Sequence, residues 1–218
     1  GVLNSSESSE IEKGLIKKVK KVLEAKGAVI VDIEFNISSD YKAAKEFYVL
    51  LYEFNVGMKN YLKGRDLPYE TLEDIVAFNE ANSDTVLKHF GQEIFLESLK
   101  ATDTERYLKE REDIGRLAKA QIDSVLEANN LDVIIGLTRN PGWLTDLENG
   151  DSRGDGGISW ANGGLSAVAG YPHITIPLDF VNDLPVGVSF LGTAWDEANL
   201  INAAYSFEQE NKFFPIPK

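Results

Sequence analysis

The chain has 218 residues, of which 43% are hydrophobic and 26% charged, with a formal net charge of -13 and no cysteine. This length and apolar content suffice for one large domain or two small ones around a proper core. The acidity is spread over both halves, 18 basic against 24 acidic residues up to position 130 and 4 against 11 beyond it, which argues against nucleic acid or an anionic membrane as a partner.

In chain order, Gly1–Asn4 reads as the end of a buried strand. Ser9 with Glu12 forms a capping box. Ile11, Leu15, Ile16, Val19, Val22 and Leu23 then recur at helical spacing. Gly27 follows as the residue able to take the left-handed conformation that ends a helix. Ala28–Phe35 is β-branched and apolar, hence a strand. Strand, helix, strand in this order is a βαβ unit with parallel strands.

A helical block occupies about residues 40–130. It holds a helix over Tyr41–Leu62, a shorter one over Glu70–Asn79, and a long one opened by a Thr102/Glu105 capping box. Leu131–Leu137 is a strand. From Thr138 to Asn162 runs an irregular loop of about two dozen residues, rich in Gly, Asp and Asn; loops of this length inside a domain usually serve function. Strands near His173–Pro177 and Val186–Leu191 are joined by a turn at Asn182-Asp183, which fits an antiparallel pair. Asp196 is placed to open a last helix, and Pro215–Pro217 is extended. The fold class is α/β: a mixed β-sheet flanked by helices.

No complete catalytic set is visible. Three near matches to a serine elbow, around Ser159, Ser166 and Ser189, all lack the second glycine. His89 and His173 are the two histidines, and no Asp is placed by sequence to orient either ring. The acidic loop Asp146–Gly157, tested as a calcium loop from Asp151, has Arg153 and Asn162 where carboxylates belong. Neither a metal nor a cofactor is expected. Trp143 and Trp160 flank that loop. Aromatic rings there either line a pocket for an apolar substrate portion or staple the loop to the core, and the sequence weighs the two equally.

The last third adds a specific order: Ala167-Val-Ala-Gly170, Tyr171-Pro172, His173-Ile-Thr-Ile-Pro177, Leu184-Pro-Val-Gly187, Val188-Ser-Phe-Leu-Gly192 and Trp195-Asp-Glu197 into Ala203-Ala-Tyr205. This order resembles the C-terminal end of the amidase-signature hydrolases. LDVIIGLTRNPGW and TDLENGD, with the helical TLEDIVAFNEAN and FGQEIF, are similar to the family's peptide- and arylamide-cleaving branch. The resemblance implies part of an α/β/α sandwich, with the whole chain forming the C-terminal portion of that domain. It implies cleavage of carboxamide C–N bonds by a Ser–Ser–Lys mechanism. Asp179 stands where many members have Gly, and Gly163-Gly164-Leu165 replaces a more Ser/Pro-like stretch.

The family's serines sit in a Gly/Ser-rich segment, and no such run occurs here, so no catalytic residue is assigned. Trp143, Asp146 and Trp160 are assigned to one wall of the substrate pocket. Residue 1 is Gly and the one methionine is Met58, so the chain is expected to be a piece of a longer protein, inactive alone. The expected partner is a small-molecule amide in the full-length enzyme; self-association of the piece is also expected. With no signal peptide and no apolar run of about 20 residues, the expected location is cytoplasmic. The alternatives are part of a glutamyl-tRNA amidotransferase A subunit, or a non-catalytic binding or scaffold protein.

Overall fold

The structure, a computed structural model, describes residues 1–3, 8–34, 39–43, 46–148 and 163–214. Two compact units divide the chain. One comprises Gly1–Lys42, Gly115–Trp143 and Arg153–Lys218; the other comprises Ala43–Ile114 and Leu144–Ser152.

The first unit is built on a five-stranded sheet. Its strands are β1 (Val2–Leu3), β2 (Asp32–Ile33), β3 (Ile134–Leu137), β4 (His173–Val181) and β5 (Leu184–Leu191), in the order β2-β1-β3-β5-β4. β1 runs parallel to both β2 and β3, while β5 is antiparallel to β3 and β4. The expected mixed sheet is therefore present, and β1 and β2 pair in parallel across helix α1 (Glu10–Ala25). Among the described residues β2 is shorter than the apolar run 28–35 suggests: it pairs at Asp32 and Ile33, with Val2 and Leu3. β4 and β5 are longer than expected, since the turn holds them together up to Val181 and Leu184. Both turn residues take positive φ, 50° at Asn182 and 63° at Asp183, the geometry that matches the twist of a hairpin.

Alternation along the strands sends side chains to two faces. Val2, Ile135, Leu137, Ile176, Leu178, Val188 and Phe190 pack with Ile16, Val19 and Leu23 of α1 and with Leu200, Ala204 and Phe207 of a C-terminal helix. Leu3, Ile33, Ile134 and Leu191 face the other way, onto Ala118, Ile122, Leu126 and Ala169. The unit is thus helix, sheet, helix in three layers, the α/β/α arrangement expected.

Local signals set the helix ends. The Ser9/Glu12 capping box forms as expected, with Ser9 N–H donating to Glu12 at 2.7 Å and Glu12 N–H to Ser9 at 3.3 Å. Gly27 has φ +85°, and the Gly27 and Ala28 N–H groups return to Glu24 and Leu23 carbonyls. That is the paired closure a left-handed C′ residue permits.

After α2 (Ser39–Ala43), the second unit holds α3 (Glu46–Leu62), α4 (Leu72–Ala81), α5 (Ser83–Val86), α6 (Glu93–Lys100) and the start of α7 (Thr104–Ala128). α4 carries a capping box of Thr71 with Asp74, which moves its start two residues past the expected Glu70. α7 corrects the expected Thr102/Glu105 box: the Asp103 carboxylate accepts the Arg106 N–H at 3.0 Å. Asp is as good a cap as Thr, and it stands next to the first helical residue. α5 and α6 are short and add to the helices expected in this block. Stacked Tyr52 and Tyr107 rings, 4.1 Å apart at 11°, join α3 to α7 within this unit. The chain closes with α8 (Gly164–Ala169) and α9 (Glu197–Asn211) in the first unit. Asp196 is the N-terminal flanking residue of α9, as expected, although its side chain makes no capping bond there.

Candidate functional site

The C-terminal end of β3 is where the long loop leaves the sheet. Its first residue, Thr138, is still held: its N–H donates to the Gly187 carbonyl at 2.9 Å. Its hydroxyl oxygen lies 2.7 Å from that of Ser189, which in turn lies 2.9 Å from that of Thr175. Ser189 is fully buried. Strand register creates this trio: Ser189 pairs with Gly136 on one side and Thr175 on the other. Sequence reading missed it, because nothing in the spacing of residues 138, 175 and 189 shows that they meet. The available signal was small and hydroxylic residues at strand positions where an apolar side chain would be usual.

Gly187 belongs to the same arrangement. A Cβ there would stand 2.9 Å from the Thr138 hydroxyl and 2.9 Å from the Thr175 methyl carbon. Both are closer than real Cβ contacts, so glycine lets the two threonines close over Ser189.

Beyond Thr138, the Arg139 guanidinium lies 5.5 Å from the centre of the Trp143 ring, a cation–π distance. Trp143 is 39% exposed, so the ring presents surface to solvent. Trp143 closes the part of the loop assigned to the first unit; Asp146 belongs to the second. There the Asp146 carboxylate accepts the Glu148 N–H at 2.9 Å, a local turn bond. Trp160 lies outside the described residues, as do Ser159, most of the acidic loop tested for calcium, and the tail Pro215–Pro217.

The remaining candidates have no base beside a nucleophile among the described residues. Ser189 meets only threonine hydroxyls, which do not ionise near neutral pH. Ser166, inside α8, is 2% exposed and its hydroxyl makes no hydrogen bond. His173 begins β4 half-buried, with its ring 3.4 Å from where a Cβ on Gly163 would stand. His89 is exposed in a bend after α5. The Tyr171 hydroxyl donates to Asp123 at 2.7 Å and Thr193 donates to the other Asp123 oxygen at 2.9 Å. Burial, and then the bond to Asp123, raises the Tyr171 phenol above its ordinary range, so it stays protonated and cannot act as a base. Among the described residues no group of three His, Asp or Glu is placed to hold a metal, and no helix is long and apolar enough to cross a membrane. Two clefts in the second unit, of about 700 and 660 Å³, are lined by neither Trp143 nor Asp146.

A three-layer α/β sandwich with a mixed sheet is a scaffold that many enzymes share. The chain belongs to the amidase-signature family: the family model, Amidase, matches residues 4–201. The native peptide amidase of Stenotrophomonas maltophilia superposes with a TM-score of 0.84 at 33% identity, over 100% of this chain and 44% of that one. A probable amidase of Arabidopsis thaliana is 28% identical over 209 residues, 91% of this chain and 36% of that protein. The A subunit of the glutamyl-tRNA(Gln) amidotransferase of Exiguobacterium sibiricum is 29% identical over 223 residues, 96% of this chain and 44% of that protein. The chain therefore spans less than half the length of these relatives.

Proposed function

We propose that these 218 residues are the C-terminal part of an amidohydrolase that cleaves carboxamide C–N bonds. The nucleophilic serine, the second serine and the lysine base would lie upstream. Serine attack on the amide carbonyl, with backbone N–H groups holding the oxyanion, releases ammonia or an amine and leaves an acyl-enzyme that water hydrolyses. This part supplies strands of the core sheet and one wall of the pocket, with Trp143, Asp146 and Trp160 on that wall. The observation that carries the reading is a pairing. The family match runs through residues 4–201, yet the chain spans under half of each relative above, and among the described residues the serine hydroxyl bonds go to backbone groups or threonines, not to a histidine, lysine or carboxylate.

The test is an amide panel read by release of ammonia or a chromogenic amine. Residues 1–218 alone should give no turnover above background, and the same residues joined to their upstream sequence should. Turnover by residues 1–218 that survives repurification and disappears on mutating one of its own serines would overturn the reading.

A second reading has its own support. The 29% identity to the A subunit of a glutamyl-tRNA(Gln) amidotransferase covers 96% of this chain. The likeness to the peptide amidase is higher at 33% and complete, which favours the free-standing amidase. Glutamine-dependent amidation of a mischarged tRNA, with activity on simple amides absent, would reverse that order.

A further inference from the structure

On the sheet face that meets α7 and α8, apolar packing stops part-way along the strands. Ile134 and Leu191 pair and belong to the buried cluster on that side. One step further along this face the ladder reads Gly136, Ser189, Thr175, and the next step reads Thr138, Gly187, Pro177. Two glycines in strand interiors weaken the strands they sit in. A buried hydroxyl costs free energy unless it is bonded. Ser189 has its bonds, with Thr138 and Thr175, so the two glycines are the choice that runs against sheet stability, and they flank the trio at the residue where the chain leaves the sheet.

Each hydroxyl has one proton to donate and lone pairs to accept with. Ser189, fully buried and between two threonines, is hydrogen-bonded to both, and either oxygen of each pair can be the donor. Its bond to Thr138 at 2.7 Å therefore links the loop's first side chain to the sheet interior, beside the main-chain bond from Thr138 to Gly187. Four residues beyond Arg139 stands Trp143, whose ring the Arg139 guanidinium meets.

We propose that Ser189 is a positioning residue: through the Thr138 hydroxyl it fixes the direction in which the loop leaves the sheet, and so where the Arg139–Trp143 pair faces substrate. The substrate half of this assignment rests on the amidase reading above; the anchoring half does not.

The test is amide hydrogen exchange on the 218-residue chain, comparing Ser189→Ala, Thr138→Val and Thr138→Ser. Ser189→Ala and Thr138→Val should each speed exchange at Thr138, Arg139 and Asn140 at least tenfold. Ile176 and Val188, in the hairpin, should stay within twofold. Thr138→Ser keeps the hydroxyl and should match the unaltered chain throughout. Equal acceleration in loop and hairpin would mean that the hydroxyls only stabilise the sheet, and would overturn the proposal; so would no acceleration at the loop, or a Thr138→Ser variant that behaves like Thr138→Val. If Ser189→Ala fails to fold, the two Thr138 variants decide by the same criteria. Exchange is read without substrate, so a failed amidase assay leaves this result standing, and a failed exchange result leaves the amidase assay standing.

Discussion

The Lys18 ammonium lies 2.7 Å from the Asp179 carboxylate and ties α1 to the outer strand β4 across 161 positions of sequence. The same ammonium donates to the Leu178 carbonyl at 3.1 Å and stands 5.6 Å from the centre of the Phe213 ring. Burial pushes the Asp179 carboxyl up, but the bonds from Lys18 and from the Phe180 N–H outweigh it, and the group ends below its ordinary value. A carboxyl whose folded pKa lies below its unfolded one adds stability above the unfolded value, and that stability is lost as pH falls through the folded one. Lys18→Met should therefore destabilise at pH 7 and make little difference near pH 2. Both side chains are more than a third exposed, so the pair itself contributes about 1 kcal/mol or less. Urea unfolding of the parent and Lys18→Met chains at the two pH values checks this; a difference that persists undiminished at low pH would assign the effect to lost packing.

Phe190 and Phe207 are both fully buried, with rings 5.8 Å apart at 70°, an edge-to-face contact between β5 and α9. Phe190 also stands between Ile135 and Ile174 in the ladder. Phe190→Ala should cost about 3–5 kcal/mol, the usual range for removing a core ring that its surroundings cannot collapse upon. Denaturant unfolding gives the number. A loss under about 1 kcal/mol would mean that the cluster around α1 and α9 repacks freely.

How far the sequence discloses this molecule depends on the range of the signal. Ser9 with Glu12, Gly27, and Asn182 with Asp183 act on neighbours within a few residues, and each works as its residue type dictates. The Thr102/Glu105 box has the right pattern and loses to Asp103, because two capping residues side by side leave the choice to the helix's exact start. β2 falls short of its apolar run, since such a run says nothing about the length of its partner. The candidate site is legible in part: the segment after β3 lacks helix and strand through its described residues, up to 148, as its composition suggests, and Trp143 is visible as an aromatic on it. The hydroxyl trio is not, because the contacts among residues 138, 175 and 189 exist only once β3, β5 and β4 are in register.

Self-association, expected from sequence, should differ between the two edges of the sheet. At β4, Pro177 has no N–H to offer a new strand, and the ladder shifts register between Pro177 and Asp179. Asn211 donates to the Leu178 carbonyl at 3.0 Å and Lys18 to the same oxygen, so this edge is already occupied. Such devices discourage edge pairing. At the other edge, β2 follows Val29, which is 90% exposed, and its charged residue Asp32 is engaged with Lys20. Sedimentation over a concentration series should show dimers or larger species that Val29→Lys reduces. Pro177→Thr should leave the distribution unchanged, since the side-chain caps of Lys18 and Asn211 remain. A clean monomer at high concentration would remove the prediction altogether.

The last prediction separates the two roles open to Trp143. The residue is 39% exposed and its ring meets the Arg139 guanidinium, so a substrate portion has side-chain surface to reach. On the proposed amidase reading, in a protein that carries the upstream sequence as well, Trp143→Ala should then lower kcat/KM unequally across amides with different acyl groups. A ring that touches one portion of the substrate stabilises only the transition states that present that portion, and removing it changes their ratio. A ring that merely holds the loop would, when removed, lower the melting temperature and reduce activity on every amide by a similar factor. Removing an apolar pocket contact is worth about 1–3 kcal/mol, or roughly 10- to 200-fold between the best and worst affected substrates. Thermal unfolding beside kinetics on two substrates, one with a bulky apolar acyl group and one with a small one, makes the comparison. Selective loss at unchanged melting temperature places Trp143 on the pocket wall, and uniform loss with a lowered one makes it a staple of the loop.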